Sequence, residues 1–174
     1  MEPGVVNPAN AVTLARLLTI FPLWYFIAND ERQLAFVVIV VGGLMDLVDG
    51  WVAKAFHCQT AFGEVFDAIA DGLLYGSALV VLAVYGWAPR GPVVAIMGLG
   101  VVNAVFRYIY QRRAGRTMNY LSLAMERFTG NLAFLIGFAI TGYEVDFYFP
   151  VCASLMAVIV IHDAKRMLVD PVTR

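Results

Sequence analysis

Six long apolar stretches, separated by short polar segments, dominate the hydropathy pattern of the chain. They lie at approximately residues 11–28, 34–55, 66–86, 91–111, 121–141 and 147–168. A helix rises about 1.5 Å per residue, so about 20 apolar residues cross the roughly 30 Å hydrocarbon core of a bilayer. Because the gaps are short and rich in Gly and Pro, neighbouring stretches are expected to run antiparallel. The pattern predicts an all-α integral membrane protein with six transmembrane helices in a compact bundle.

Composition and charge agree with this prediction. Of 174 residues, 61% are hydrophobic and 14% are charged, which is too apolar for a soluble domain of this size. The sequence contains no internal repeat or composition break, so a single domain is expected over residues 1–174. Lys and Arg concentrate in the second gap, the fourth gap and the C-terminal tail, which places both termini in the cytoplasm. No nucleic-acid partner is expected.

Four aspartates flank the gap between the second and third stretches, within DLVDGWVAKAFHCQTAFGEVFDAIAD. In an antiparallel helical hairpin, two residues lie at the same height when their position numbers add to a constant. With the turn near residues 58–59, this rule pairs Asp46 with Asp71 and Asp49 with Asp67. The aspartates of each helix are three or four residues apart and therefore share one face. The four carboxylates are expected to converge in the cytoplasmic half of the bundle.

Carboxylates in this position need a compensating charge. Two unit charges about 5 Å apart repel by roughly 3 kcal/mol at an effective dielectric constant near 20. Along these two helices only Lys54 is close. Either several aspartates are protonated, or a divalent cation neutralises them. Oxygen ligands without His or Cys favour Mg²⁺, Mn²⁺ or Ca²⁺ over zinc. Helix caps or buried hydrogen bonds are the structural alternative, and they account poorly for the matched heights.

The aspartates belong to a longer motif. Asp46-x-x-Asp49-Gly50-x-x-Ala53-Lys54 is followed, after eight residues, by Gly63-x-x-x-Asp67-x-x-x-Asp71. This resembles the signature of the CDP-alcohol phosphatidyltransferase family, DxxDGxxAR, eight residues, GxxxDxxxD. Seven of the eight specified residues match in register.

A second segment and one departure complete the resemblance. The upstream PANAVTLAR, with Asn10, Thr13 and Arg16, is similar to the family segment PNxLTxxR. The family arginine of the main motif is Lys54 here. An ammonium binds phosphate as a point charge, whereas a guanidinium can form two parallel hydrogen bonds. If this position binds the diphosphate, the charge is retained and the two-pronged geometry is lost.

The resemblance implies an enzyme of phospholipid biosynthesis that uses CDP-diacylglycerol as the donor and an alcohol as the acceptor. The acceptor hydroxyl would attack the lipid-side phosphorus, releasing CMP and forming a new phosphodiester. The resemblance also implies Mg²⁺ or Mn²⁺ as the cofactor, with two ions in the loaded state. It further implies a homodimer in the cell membrane, with the active site facing the cytoplasm.

Roles for individual residues follow from the same resemblance. Asp46, Asp49 and Asp67 are expected to bind the metal. Asp71 is expected to share in metal binding and to accept the proton of the acceptor hydroxyl. The nucleotide and diphosphate of the donor are expected to contact Asn10, Thr13, Gly50, Ala53, Lys54 and Gly63.

Two arginines lie deep within predicted spans, Arg107 in the fourth and Arg127 in the fifth. Such arginines are usually paired or line a polar cavity. Arg107 can alternatively extend to the cytoplasmic surface, and Arg127 can form an interhelical ion pair. The functional hypothesis is that both bind a phosphate on the acceptor. This hypothesis favours glycerol 3-phosphate first, or an inositol phosphate, over serine or phosphatidylglycerol.

Two other functions use carboxylates within a membrane. A cation-coupled transporter carries protons or ions on such groups, but transporters often show inverted repeats and interrupted helices, which the sequence lacks. A membrane prenyltransferase also holds a diphosphate through Mg²⁺ and aspartate-rich motifs. Its aspartate groups usually lie on different hairpins, whereas these lie on one. Release of CMP would separate the phosphatidyltransferase from a transporter.

Overall fold

The computed structural model describes residues 7–56, 60–114 and 119–169, and the regular structure within them is entirely helical. The seven helices are α1 (Pro8–Leu18), α2 (Ile20–Ala28), α3 (Arg32–Ala55), α4 (Ala61–Val84), α5 (Arg90–Ala114), α6 (Asn119–Thr141) and α7 (Tyr148–Val169). The all-α prediction is confirmed. The turn predicted near residues 58–59 lies outside the described residues.

The first predicted span is a helix with a break. α1 ends at Leu18, and the backbone N–H of Thr19 donates to the carbonyl of Arg16 at 3.0 Å. Pro22, one turn later, has no N–H, and its ring would clash with the carbonyl four residues earlier in a continuous helix. The chain therefore starts a new helix, α2, at Ile20. The break leaves Arg16 in the last turn of α1.

Side-chain caps begin α1 and α4 at the same end of the bundle. The side chain of Asn7 accepts a hydrogen bond from the backbone N–H of Asn10 at 2.9 Å. Thr60 accepts one from the N–H of Gly63 at 2.9 Å in the same way. Each cap satisfies a donor that the first turn of a helix leaves unpaired. This end is called the acidic end below, because the four aspartates lie near it.

The hairpin of α3 and α4 is the centre of the bundle. The segment formed by α1 and α2 packs on both of its helices, and so does α6, while α5 packs on α7 and α4. Halfway along the hairpin, a Cβ added to Gly42 would lie 3.0 Å from Cδ2 of Leu74, which is fully buried. The absence of a side chain at Gly42 therefore lets the two helices approach closely.

The other end of the bundle is held by Arg32 at the start of α3. Its guanidinium lies 4.0 Å from the centre of the Trp87 ring, which follows α4. Gly142, after α6, has a positive φ of 84°, and a Cβ there would lie 3.1 Å from Nη1 of Arg32. The start of α3 is thus next to the end of α6, so these two helices are antiparallel.

The surface is that of a membrane protein. Large apolar side chains such as Phe21, Trp51 and Phe134 are 73%, 68% and 72% exposed, as expected where lipid replaces water as the surrounding medium. Four segments of the described chain are long and apolar enough to cross a bilayer, namely Pro8–Ala28, Arg32–Ala53, Val65–Val84 and Tyr148–Lys165. Two further helices have shorter apolar stretches, Arg90–Phe106 and Arg127–Thr141. The six-span count therefore remains a prediction.

Candidate active site

One buried arginine holds the four aspartates together. Arg16 projects from α1 and is fully buried. Its two terminal nitrogens form ion pairs with all four carboxylates, which come from α3 and α4. The aspartates themselves are unevenly accessible, since Asp49 is buried and the other three are partly exposed. The site is a cluster of acidic groups with a guanidinium at its closed side.

The ion pairs follow the heights expected from the sequence. Nη1 of Arg16 contacts Asp46 and lies 2.9 Å from Oδ1 of Asp71. Nη2 contacts Asp67 and lies 3.7 Å from Oδ2 of Asp49. Each nitrogen thus contacts the two carboxylates predicted to be level in the hairpin. The predicted convergence of the four aspartates is confirmed.

The source of the compensating charge was not predicted. Along the hairpin the sequence offers only Lys54, which left protonation or a divalent ion as the alternatives. The structure shows a third source, an arginine from a neighbouring helix. A signal for it was present, because Thr13 and Arg16 are three residues apart on α1 and both face the hairpin.

Thr13 supports the most buried aspartate. Its hydroxyl lies 3.1 Å from Oδ2 of Asp49 and 3.2 Å from the carbonyl of Ala9, within hydrogen-bonding distance of both acceptors. Thr13 itself is 3% exposed. This contact fixes the carboxylate of Asp49 against α1, so that α1 contributes a neutral donor as well as the arginine.

The residues expected to contact the donor lie around the acidic end. A Cβ on Gly63 would lie 3.1 Å from Oδ1 of Asn10, so that α4 and α1 approach closely there. A Cβ on Gly50 would meet nothing within 4 Å. Packing therefore explains the glycine at position 63 and does not explain the one at position 50. Ala53 is half-buried one turn further along α3, and the side chain of Lys54 lies outside the described part of the structure.

The donor set fits a divalent cation. Asp46, Asp49 and Asp67 each offer one carboxylate oxygen within 4.8 Å of the others. Hard cations such as Mg²⁺ and Mn²⁺ prefer oxygen ligands of this kind. Two of the three carboxylates are partly exposed, which leaves a path to the cluster from solvent.

The two membrane arginines lie at the height of the site. Gly137 of α6 packs against Phe36 of α3, with 3.5 Å between an added Cβ and Cε2 of the ring. The two helices are antiparallel, so ten residues before Gly137 on α6 corresponds to ten residues after Phe36 on α3. Arg127 is therefore level with Asp46. Arg127 is exposed and forms no ion pair with any residue that the structure describes. Its role in acceptor binding remains a prediction.

The same reasoning applies to Arg107 on α5. A Cβ on Gly76 of α4 would lie 3.3 Å from Cε of Met97 on α5. Asp67 lies nine residues before Gly76 on α4, and Phe106 lies nine residues after Met97 on α5. Asp67 is therefore level with Phe106, the residue before Arg107. The side chain of Arg107 lies outside the described residues, so its contacts also remain a prediction.

A second buried polar contact joins α5 to α7 and was not anticipated. Nδ2 of Asn103 donates to Oδ2 of Asp163 at 2.8 Å, and both residues are at most 2% exposed. His162 lies beside this pair, with Nδ1 3.4 Å from Oδ1 of Asp163. Nothing in the sequence indicated that Asn103 and Asp163, in two distant spans, would pair.

The fold and the site together define a helical membrane protein with an acidic centre between its helices. The chain belongs to the CDP-alcohol phosphatidyltransferase family, whose family model matches residues 6–163. The recognised motif and the matched region thus cover the same helices that build the site.

Individual relatives are similar over parts of the chain. A CDP-diacylglycerol–glycerol-3-phosphate 3-phosphatidyltransferase of Rickettsia felis is 35% identical over 79 residues, which is 44% of each chain. A probable phosphatidylglycerophosphate synthase of Mycobacterium tuberculosis is 32% identical over 115 residues, covering 63% of this chain and 55% of that protein. A probable cardiolipin synthase (CMP-forming) of Drosophila melanogaster is 30% identical over 121 residues, 69% of this chain and 35% of that protein. The chain therefore spans about half, or less, of the length of these relatives.

Removing one cluster carboxylate is expected to weaken metal binding. Asp67→Asn keeps the side-chain shape and removes an anionic oxygen ligand, so the affinity for Mn²⁺ should fall by at least about tenfold. Binding can be measured on the purified full chain in detergent by the electron paramagnetic resonance signal of free Mn²⁺.

Asp163→Asn is the matched control, because Asp163 is also a carboxylate within a membrane helix and lies outside the cluster, bonded to Asn103. Its Mn²⁺ affinity should equal that of the unmodified chain. Equal affinity in all three proteins would contradict the assignment of the metal to this cluster.

Proposed function

We propose that this protein transfers a phosphatidyl group from CDP-diacylglycerol to an alcohol and releases CMP. The observation that carries the proposal is the convergence of the four motif aspartates on one accessible point between α1, α3 and α4. Membership of a family of phosphatidyltransferases supports it. The transporter alternative has no comparable support.

The proposed chemistry assigns separate tasks to the aspartates. Asp46, Asp49 and Asp67 hold the divalent cation, with Asp71 as a further ligand. These residues would hold Mg²⁺ or Mn²⁺, with two ions in the loaded state, which would supply positive charge to offset the diphosphate and the charge developing on the CMP leaving oxygen. Thr13 keeps Asp49 oriented through its hydroxyl.

The transfer itself needs a base for the acceptor. Asp71 accepts the hydroxyl proton while the acceptor oxygen forms a bond to the lipid-side phosphorus. The bond between that phosphorus and the CMP oxygen breaks, and CMP leaves. Asp71 suits this role because it is partly exposed and belongs to the cluster.

Donor binding is assigned to the acidic end. The open space above Gly50 leaves room for the cytidine against the backbone of α3. Asn10, Gly63 and Ala53 border that space in the proposal, and Lys54 supplies a point charge to the diphosphate.

The proposed membrane arrangement has six spans with both termini in the cytoplasm. α5 and α6 complete the set, with apolar stretches at Arg90–Phe106 and Arg127–Thr141 among the described residues. The active site then opens to the cytoplasm and to the inner leaflet of the cell membrane, where the nucleotide and the acyl chains of the donor can both be accommodated. A homodimer is part of the proposal by family resemblance alone.

Glycerol 3-phosphate is the acceptor that the available observations support best. The relatives from Rickettsia felis and Mycobacterium tuberculosis carry names for glycerol-3-phosphate transfer and phosphatidylglycerophosphate synthesis. Arg127 places an exposed cation at the height of Asp46, where it could bind the acceptor phosphate. The relative named as a cardiolipin synthase makes phosphatidylglycerol the main alternative acceptor, ahead of an inositol phosphate or serine.

An acceptor screen tests the function directly. The purified full chain is incubated in detergent with CDP-diacylglycerol and Mn²⁺ or Mg²⁺, and each acceptor is added separately, with CMP and lipid product measured by mass spectrometry. CMP release should depend on glycerol 3-phosphate and cease with EDTA. No acceptor-dependent CMP with any of the four candidates, or full turnover in EDTA, would refute the proposal.

Replacing the proposed base should lower kcat strongly and change donor binding only slightly. Asp71→Asn cannot accept the proton, so kcat is expected to fall by at least about 100-fold. Donor KM and the unfolding temperature should change much less. Retention of full kcat by a folded Asp71→Asn protein would exclude Asp71 as the base.

Gly50→Ala probes the space assigned to the donor. The added methyl meets nothing within 4 Å, so the protein should fold normally. If the cytidine occupies that space, the donor KM should rise by about tenfold. Gly98→Ala is the control, because its Cβ also meets open space but on α5. Equal donor KM values in both variants would show that the nucleotide does not bind against α3 at Gly50.

Arg127→Ala probes the acceptor side. Loss of a charged hydrogen bond to the acceptor phosphate should raise the KM for glycerol 3-phosphate by roughly 10- to 100-fold. The donor KM serves as the internal control and should remain unchanged. An unchanged acceptor KM, with activity retained, would show that Arg127 does not bind the acceptor.

A further inference from the structure

The contacts of Arg16 use the groups that the proposed metal needs. The guanidinium forms ion pairs with all three aspartates of the candidate metal triad and with Asp71. A cation of charge +2 at these oxygens would repel a guanidinium held among them. The two cations therefore compete for one set of carboxylates.

Two features distinguish this arginine from a permanent cross-link. Its Nε is buried and has no hydrogen-bond partner among the described residues. A fully satisfied polar network in a low-dielectric interior is difficult to exchange, whereas one with unpaired atoms is less stable. The carboxylates also outnumber the guanidinium by three charges when all are ionised. Binding of a further cation to the cluster is therefore electrostatically favourable.

The backbone allows the guanidinium to leave without unfolding α1. The carbonyl of Arg16 accepts hydrogen bonds from both the N–H and the hydroxyl of Thr19, at 3.0 and 2.6 Å. These contacts hold the end of the helix in place. The end of α1 is therefore held by contacts that do not involve the guanidinium.

We propose that Arg16 is an internal counterion that competes with the divalent cation. It neutralises part of the cluster in the metal-free protein and withdraws from the carboxylates when the metal binds. Arg16 thereby stabilises the empty site and lowers the intrinsic affinity of the site for metal. This inference rests on the proposed function, because it assumes that a divalent cation binds this cluster.

Metal binding to Arg16→Gln tests the competition without turnover. Removing the competitor should increase the affinity for Mn²⁺ by at least about fivefold, as expected for a coupling between two ligands of one site. The same substitution should lower the unfolding temperature in EDTA and enlarge the increase that Mn²⁺ produces. Arg32→Gln, at the opposite end of the bundle, should match the unmodified chain in its Mn²⁺ affinity and in the increase of the unfolding temperature that Mn²⁺ produces.

The alternatives give different results. If Arg16 is a structural cross-link or helps to hold the metal, the folded Arg16→Gln protein will bind Mn²⁺ equally or more weakly, and the inference is wrong. If neither protein binds Mn²⁺, the metal site of the proposed function fails as well. Failure of CMP release with the predicted change in Mn²⁺ affinity would refute only the transferase proposal.

A second measurement uses the unmodified chain, in case Arg16→Gln does not fold. Phenylglyoxal modification of Arg16, followed by mass spectrometry of its peptide, should be slow in EDTA because the guanidinium is fully buried. Saturating Mn²⁺ should increase the rate at least about fivefold if the side chain withdraws. The rate at Arg32 is the internal reference and should not change. Equal protection of Arg16 with and without Mn²⁺ would overturn the proposal.

Discussion

The need to compensate four carboxylates inside an apolar bundle governs the structure around the site. Each pair of ionised aspartates about 5 Å apart costs roughly 3 kcal/mol at an effective dielectric constant near 20. Arg16 reduces this cost because its planar guanidinium presents two nitrogens to carboxylates on two helices. The position of α1 is therefore tied to the hairpin electrostatically as well as by apolar packing.

This constraint explains why the register of the hairpin matters. Gly42 meets Leu74 in the middle of the hairpin, and the carboxylates of Asp46 and Asp71 meet at one nitrogen of Arg16 a turn away. The position numbers of both pairs add to nearly the same value, so the helices keep one register along this length. A shift of one residue would rotate an aspartate by about 100° away from the arginine. Close packing at Gly42 thus preserves the geometry of a site one turn away.

The sequence predicted the hairpin site well and its surroundings less well. The heights of the aspartates follow from a short gap and antiparallel geometry, both of which are local features. The contribution of Arg16 depends on where α1 packs, and a periodic apolar pattern does not specify which helix is its neighbour. The same limitation hid the contact between Asn103 and Asp163, whose helices are far apart in the sequence.

Helix breaks and span lengths show a related limit. Pro22 is a recognisable interruption, but hydropathy alone merged α1 and α2 into one span. Arg107 and Arg127 lie within the fourth and fifth predicted spans, where each charge counts against the hydropathy of the stretch. Counting charge against hydropathy cannot distinguish a charged residue that ends a span from one that serves a site within it.

The arrangement of helices separates the two proposed substrates. α1 and α6 both pack on α3 and α4, and α1 carries Arg16 and Thr13 into contact with the aspartates. Arg127 lies on α6 at the height of Asp46 and remains exposed, so its charge is not consumed by the cluster. Two anionic groups entering one acidic site would repel each other unless each met its own cation. A donor diphosphate neutralised at the aspartates and an acceptor phosphate neutralised at α6 satisfy that requirement, which gives a physical reason for arginines in a span that would otherwise exclude them.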